Sequence, residues 1–467
     1  LEGLEISILN FNDVKKSTQS FRTDAEYYQK LYLNDDKVIL KHGFNLLKGV
    51  TNKIDVGYVG SMVEHYRKRG TWLLQTKNIN SFFINKNNTI YITDKFHRSL
   101  SKSQVNYEDI LIARSGSFGK ASIYLEKEVI NSSDIILLSA DKSKINSYFL
   151  VSFLNSKFGV NQMLRFASGG LQGHVNLTIL EELQVPKMDN DFQIQIENTI
   201  LSSYSKKKSS QQKYEEAENL LLETLGLQNF QPSLEAVNIK SFKESFATTG
   251  RLDAEYYQPK YEDYLSAIVS KSHTFIKNEY IQIKDFINRD LEEYNYIEIG
   301  DINVGDGMSF PHKVLLEDLP ANGKLKAKKG DLLISKVRPY RGAVSIVDNN
   351  FENLVVSGAF TVLRSNENSK YNNEVLKVLL RSTLYKDWLL QFNVGTSYPV
   401  IKDEDILNLP IPFIEEELQE QIATLIQESF TLKAQSAHLL EVAKGAVEIA
   451  IEENEKVAME YINKNNI

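Results

Sequence analysis

The sequence predicts an α+β protein: two tandem β-rich globules alternate with two long helices, which pair as an antiparallel coiled coil about a pseudo-twofold. Three observations carry this prediction. The 467-residue chain repeats itself, each repeat opens with short β-rich runs, and each closes after a proline with a long polar helix bearing a thin apolar seam. At about 150 residues per folding unit, the length suits roughly three units. The expected boundaries are 1–189 for the first globule and 190–226 for its helix, then 227–413 and 414–460 for the second pair, with a tail at 461–467.

The repeat is read from landmarks in identical order. Asp24-Ala25-Glu26-Tyr27-Tyr28-Gln29 returns letter for letter as Asp253-Ala254-Glu255-Tyr256-Tyr257-Gln258, and each copy follows a similar lead from Leu4 to Phe11 and from Leu234 to Phe242. Glu108-Asp109-Ile110-Leu111-Ile112 corresponds to Gly330-Asp331-Leu332-Leu333-Ile334. Later pairs are Phe166…Gly169 with Phe392…Gly395, Leu183-Gln184-Val185-Pro186 with Leu409-Pro410-Ile411-Pro412, and Gln193-x-Gln195-Ile196 with Gln419-x-Gln421-Ile422. The offset drifts by only a few residues, as loop insertions would cause.

Each element follows from local pattern. Thr89–Ile92, Ile110–Ala113, Ala343–Val347 and Ala359–Leu363 are β-rich runs broken by Gly, Asn and Lys. One helical segment falls late in each globule, near 147–166 and 372–392. Beyond Pro412 the seam Leu418, Ile422, Leu425, Ser429, Leu432, Ser436, Leu439, Ala443, Ala446, Ala450 steps by threes and fours, the coiled-coil spacing. Ile196, Ile200, Tyr204, Tyr214, Ala217, Leu221 and Leu225 form a rougher version, ended by Gly226 and Pro232. At 1.5 Å per residue the helices would be about 50 and 65 Å long. Neither is apolar all round, so each needs a partner: the other helix, or another subunit.

Composition excludes several function classes. With 42% apolar and 25% charged residues the chain can bury a core, and no apolar run is long enough to span a membrane. It has no cysteine, which excludes disulfides, thiolate metal sites and cysteine nucleophiles. Leu1 to Ile6 contain neither a basic n-region nor an apolar h-region, so a cytoplasmic protein is expected. The seven histidines are scattered, without metal-ligand spacing. Gly119-Lys120-Ala121 fails as a phosphate loop, because Arg114 and Ala121 stand where Gly and Ser or Thr are required. No GxSxG elbow and no adenine-gripping Asn-Pro-Pro-Tyr box occurs. The chain is expected to bind, with no catalytic residue and no metal of its own.

Charge is uneven. The net charge is −7, yet residues 37–127 hold 15 basic against 6 acidic side chains and 313–341 hold 8 against 3, while 413–467 hold 4 against 11. Two basic islands at matching places in the repeat suggest two surfaces for phosphate.

Two variable β-rich globules, each joined to a long helix through a proline box and a Gln-x-x-Ile box, resemble the DNA-specificity subunit of type I restriction–modification systems. The likeness extends over about residues 10–460 and is strongest at the two junctions and at Gly330-Asp-Leu-Leu-Ile-Ser335. One departure is Lys187-Met-Asp-Asn-Asp where the second junction has Ile414-Glu-Glu-Glu. The resemblance implies a non-catalytic subunit with two target-recognition domains, each reading one half of a split double-stranded DNA target while the helices set the gap. It further implies two N6-adenine methyltransferase subunits as partners, joined by two restriction/translocase subunits where the complex also cleaves. S-adenosylmethionine, ATP and Mg would be carried by those partners and no cofactor by this chain.

On that reading the phosphate candidates in the first globule are Arg67, Lys68, Arg69 and Lys77. The loop holding Arg114, Ser115, Ser117 and Lys120 offers donors for base edges. Its counterpart holds Lys336, Arg338, Tyr340 and Arg341, with Lys328 just before it. A second loop pair offers Gln172 and His174 in one copy, Ser397 and Tyr398 in the other. Differing loop chemistry implies an asymmetric target. The shared boxes, with Tyr27, Tyr28, Tyr256 and Tyr257, are candidates for methyltransferase docking; packing of each globule against its own helix is the alternative for them. The competing reading of the whole chain is a coiled-coil scaffold whose globules bind proteins.

Overall fold

The structure is a computed structural model that describes residues 5–17, 22–87, 89–114, 119–395 without 168–176, and 398–466. It divides into two compact units, one formed by 1–207 with 433–467 and the other by 208–432. Each long helix, α1 (Asn190–Thr224) and α2 (Glu416–Glu452), therefore contributes one part to each unit.

In the first unit, strands Thr51–Val56, Ile135–Ala140, Ile110–Ala113, Ala121–Ile123 and Phe82–Phe83 form one five-stranded sheet, in that order. A second is ordered Tyr66–Arg67, Ile90–Ile92, Thr71–Leu74, Ile130–Ser132, Gln104–Val105. The second unit repeats the plan with two four-stranded sheets, one of them ordered Tyr280–Gln282, Phe360–Ser365, Leu332–Ser335, Val344–Ile346. The central strands read as unbroken apolar runs because both faces are covered. Ile110 and Ile112 join the core that includes the helices, while Leu111 and Ala113 point into a separate core between the sheets. Leu332 and Ile334 against Leu333 divide in the same way.

The late helical segment is two helices in each unit, Ser147–Asn155 with Lys157–Ala167 and Asn373–Arg381 with Thr383–Trp388. Each is interrupted at a buried serine, Ser156 or Ser382. Asn146 and Asn372 cap them, their side chains accepting from the first-turn amides. The Gln-x-Gln-Ile box now has a physical reason. Gln193 Oε1 accepts from the Asn146 amide (2.9 Å) while its Nε2 donates to the Met188 carbonyl (2.9 Å). Gln419 makes the same pair of bonds to Asn372 and Ile414, at 2.7 and 2.9 Å. One buried amide thus ties the start of the long helix to the start of the late helix.

The proline boxes are strands. Gln184–Pro186 pairs with Phe44–Leu46, and Pro410–Pro412 pairs with His273–Phe275, both antiparallel. Proline is tolerated because two-stranded ribbons leave one edge unpaired.

The long helices pair antiparallel within each unit, as the seam predicts. In the first, Ser203 Oγ donates to the Ser436 carbonyl and Ser436 Oγ to the Ser203 carbonyl, both at 2.8 Å. In the second, Ser429 Oγ donates to the Ser210 carbonyl at 2.7 Å. Ile196 and Ile200 share a core with Ala443, Ala446 and Ala450, and Ala217 and Leu221 share one with Ile422 and Ile426. The α1 helix stops at Gly226, φ +62°, where the Leu227 amide reaches back to the Leu222 carbonyl (2.7 Å), a Schellman ending. The helix expected over 414–460 is instead two. It breaks after Glu452, Asn454 caps a new helix, α3 (Glu455–Asn465), and α3 folds back so that Tyr461 lies over Gly445. Two further buried residues, Ala458 and Ile462, explain the alanine-rich end of the seam: small side chains let α3 approach.

Candidate nucleic-acid interface

The two loops expected to read bases occupy the same place in the repeat. Residues 114–120 join Ile110–Ala113 to Ala121–Ile123, and 336–343 join Leu332–Ser335 to Val344–Ile346, each an antiparallel hairpin. The aspartate before each hairpin fastens its base. The fully buried Asp331 carboxylate accepts from Arg364 Nε and Nη2 (2.7 and 2.8 Å) and from the Lys328 amide (2.9 Å). Asp109 accepts from Ser139 Oγ and the Asn106 amide, both at 2.6 Å. Burial pushes the Asp109 carboxyl up, and the Ser139 and Asn106 bonds only partly offset it.

In the second unit the two predicted loops meet. Val394 and Val400 exchange backbone hydrogen bonds of 3.0 and 3.2 Å, and Gly395 has φ +95°. Residues 399–401 lie along 336–338: the Arg338 amide donates to the Pro399 carbonyl (2.9 Å) and the Ile401 amide to the Lys336 carbonyl (3.0 Å). The Arg338 guanidinium stacks over the Tyr398 ring at 4.3 Å. Arg338 adopts φ 48°, ψ 55°, a left-handed conformation for a non-glycine residue before proline, which costs on the order of 1–3 kcal/mol and collects at functional loops. Tyr340 and Tyr398 are 40% and 62% exposed, and Arg341 is exposed beside them. Lys336 is placed differently. Half-buried, it ion-pairs with Asp403 (3.1 Å). Burial would raise the Asp403 carboxyl, but hydrogen bonds from Thr361 and Lys336 outweigh it and hold it below its ordinary value. Lys336 therefore fixes the loop. Lys328 is exposed, with Lys324, Lys326 and Lys329 near it in sequence and also exposed.

In the first unit Arg67, Lys68, Arg69, Lys77 and Lys120 are exposed. Arg67 is held by the Glu64 and Tyr66 carbonyls (2.9 and 2.7 Å). Arg114 pairs with Asp134 (3.1 Å), whose carbonyl accepts from Thr76 Oγ1 (3.1 Å), so Arg114 and the turn carrying Lys77 share one anchor. Ser115, Ser117, Gln172, His174 and Ser397 lie outside the described residues.

The Asp-Ala-Glu-Tyr-Tyr boxes form matching clasps, each led by an arginine that the letter repeat alone did not single out. Arg22 donates to both Asp24 oxygens (2.6 and 2.7 Å) and to the Phe166 carbonyl (3.0 Å). Arg251 does the same to Asp253 (2.8 and 2.6 Å) and to Phe392 and Asn393. Tyr28 and Tyr257 hydroxyls donate to the Arg22 and Arg251 carbonyls (2.8 and 3.0 Å). Tyr27 and Tyr28 are buried; Tyr256 and Tyr257 are half-buried. Arg165 donates to the Tyr27 carbonyl, and Gln391, at the same repeat position, donates to that of Tyr256 (2.8 and 3.1 Å). The signal that could have found the arginines was their identical spacing ahead of both boxes.

Among the described residues no cluster of His, Asp or Glu could hold a metal, and no helix is long and apolar enough to cross a membrane. The sequence profile described as "Type I restriction modification DNA specificity domain" matches twice, at 52–219 and 273–441. The specificity subunit of the type I restriction enzyme HindI from Haemophilus influenzae is 31% identical over 146 residues, which span 30% of this chain and 32% of that protein's length. Among solved structures, the S subunit of a type I restriction–modification system from M. genitalium aligns with 88% of this chain and 96% of its own, at 13% identity and TM-score 0.43. The HsdS subunit from Thermoanaerobacter tengcongensis aligns over 88% and 96%, at 14% identity and TM-score 0.28. With most of its length taken up by two copies of the specificity domain, the chain belongs to the type I restriction–modification DNA-specificity family.

Proposed function

We propose that each unit reads one half of an asymmetric, split double-stranded DNA target, and that α1 and α2 set the gap between the halves. The observation that carries this is the Arg338–Tyr398 stack, in which a half-buried arginine joins two otherwise separate loops beside the exposed Tyr340, Arg341 and Tyr398. A guanidinium presented on an aromatic ring suits bidentate bonding to guanine O6 and N7. The exposed Lys324, Lys326, Lys328, Lys329 and Arg341 of the same unit, and Arg67 to Arg69 in the other unit, supply sequence-independent phosphate contacts. On this reading methylation falls to partners: two N6-adenine methyltransferase subunits carrying S-adenosylmethionine, and restriction/translocase subunits using ATP and Mg where the system cleaves, the division of labour that two copies of the specificity domain support.

The test is a single-molecule methylome of the native host with and without the gene. Loss of N6-methyladenine from one split motif with a fixed gap supports the proposal. Unchanged adenine methylation in a host shown to express the complex overturns it.

A further inference from the structure

Two buried cations, Lys377 and Arg381, stand one helical turn apart on Asn373–Arg381 and are only 2% and 7% exposed. Burying a guanidinium is costly unless its donors are matched. Those of Arg381 are spread over three separate elements. Nε donates to the Tyr214 hydroxyl on α1 (2.8 Å), Nη1 to the Gly342 carbonyl in the hairpin loop 336–343 (2.9 Å), and Nη2 to the Val304 carbonyl (3.0 Å). The chain just after Val304 makes room for it. Gly307, at φ +76°, leaves no space for a side chain: a Cβ there would lie 2.6 Å from the Val344 carbonyl oxygen and 3.1 Å from Arg381 Nη1. Lys377 pairs with Glu374 (2.5 Å) and lies 4.4 Å from the centre of the Phe430 ring on α2. One short helix thus ties the hairpin that carries Arg338 to the parts of both long helices within its unit.

The first unit makes the corresponding link by other chemistry. Val151 and Asn155 stand at these repeat positions. Asn155 bonds both the amide and the carbonyl of Ala121 in the first hairpin (3.3 and 2.8 Å). The bond to α1 comes from Tyr204, whose hydroxyl donates to Glu126 (2.8 Å), three residues past that hairpin's second strand. Each hairpin is therefore tied to a tyrosine of α1, one through a carboxylate and the other through a guanidinium.

We infer that Arg381 is a positioning residue for the second half-site: it holds the hairpin in register on α1, and that register selects the gap length the protein accepts, an inference that rests on the proposed function above. Gaps that differ by one base pair differ by about 3.4 Å along the duplex. Apolar burial is non-directional. A planar fork bonded to three elements fixes both distance and orientation. The two arginines of this unit thereby divide the task, Arg338 bonding bases and Arg381 setting where along the duplex it does so.

The experiment uses the full chain co-expressed with the methyltransferase subunit of its host. Its substrates are duplexes that carry both half-sites with the native gap, or with one base pair more or fewer. The readout is the ratio of methylation rates on native and altered gaps, with thermal melting to report the fold. Tyr214→Phe keeps the ring and removes only the hydroxyl; it should lower the ratio about tenfold, the equivalent of one hydrogen bond to a charged group. Arg381→Gln should lower it further, and Arg381→Lys should not restore it, since an ammonium cannot span the three acceptors. The bases required in each half-site should stay the same. Val356→Ala, in the core between the sheets of the same unit, loosens the fold without touching the link and should leave the ratio unchanged. Should Arg381→Gln fail to fold, Tyr214→Phe decides alone. An unchanged ratio in Tyr214→Phe or in a folded Arg381→Gln protein overturns the inference, and so does an equal fall in Val356→Ala. An unaltered complex with no gap preference would instead overturn the proposed function on which the inference stands.

Discussion

Replacing Asp331 with alanine should loosen the hairpin that follows it in the second unit far more than replacing Asp109 loosens that of the first. The Asp331 carboxylate has no solvent exposure and accepts two bonds from one guanidinium and one from a backbone amide. Losing a buried, paired carboxylate costs roughly 3–5 kcal/mol when its partner charge stays buried. Arg364 is about one-third exposed and can be rehydrated, so we take about 3 kcal/mol, or roughly 150-fold in local opening. Asp109 makes its bonds to a hydroxyl and an amide with no guanidinium, and burial already disfavours its charge. Removing it should cost about 1–2 kcal/mol. Hydrogen exchange on peptides over 328–347 and 106–124, in both variants, measures the two openings separately, which a global melt of a two-unit protein does not. Equal acceleration in both hairpins, or less than tenfold in the Asp331→Ala protein, would refute the claim that the guanidinium pair fastens the second loop.

Three further outcomes follow from the geometry. Arg338→Ala should abolish methylation at one half-site specificity while leaving non-specific DNA binding within a few-fold, and Arg338→Lys should not rescue it, since an ammonium cannot bond bidentately; methylome sequencing decides. Ser203→Ala with Ser436→Ala should be nearly neutral, because both hydroxyls vanish together and the two carbonyls they bonded stay acceptors within their own helices, whereas Ser203→Leu should cost at least about 1–3 kcal/mol by overpacking, read by urea denaturation. Hydrogen bonds from Arg22 and Arg251 hold the Asp24 and Asp253 carboxyls below their ordinary value near 3.8. A depressed acid stabilises the fold above its ordinary value, so this contribution is complete at neutral pH, begins to fade near 3.8 and is lost as pH falls on through the lowered folded-state value. Both carboxylates are more than a third exposed, so the loss should stay below about 1 kcal/mol per clasp, and Arg22→Gln with Arg251→Gln should flatten the acid limb of the stability curve.

Local pattern carried much of this architecture. Repeated letters align elements that the fold also aligns, because duplication preserves the residues that cap, tie and turn: Asn146 with Asn372, Gln193 with Gln419, Pro186 with Pro412. The apolar seams were legible because a helix samples one face every three or four residues whatever it packs against. Charge counts located the basic islands for a similar reason, since charges seldom leave the surface.

Long-range contact was not legible. Sequence gave Lys336 and Arg338 the same standing, yet the first is tied to Asp403, 67 positions away, and the second to Tyr398. The return of α3 onto α2 depends on alanines and a glycine that fit a coiled-coil seam equally well, so a continuous helix was the natural expectation. The clasp arginines escaped because an arginine reads as surface charge until its carboxylate and carbonyl partners are assembled. Periodicity and capping act over a few residues and are written in order along the chain. Pairing of charges and burial of faces act between residues that only folding makes neighbours.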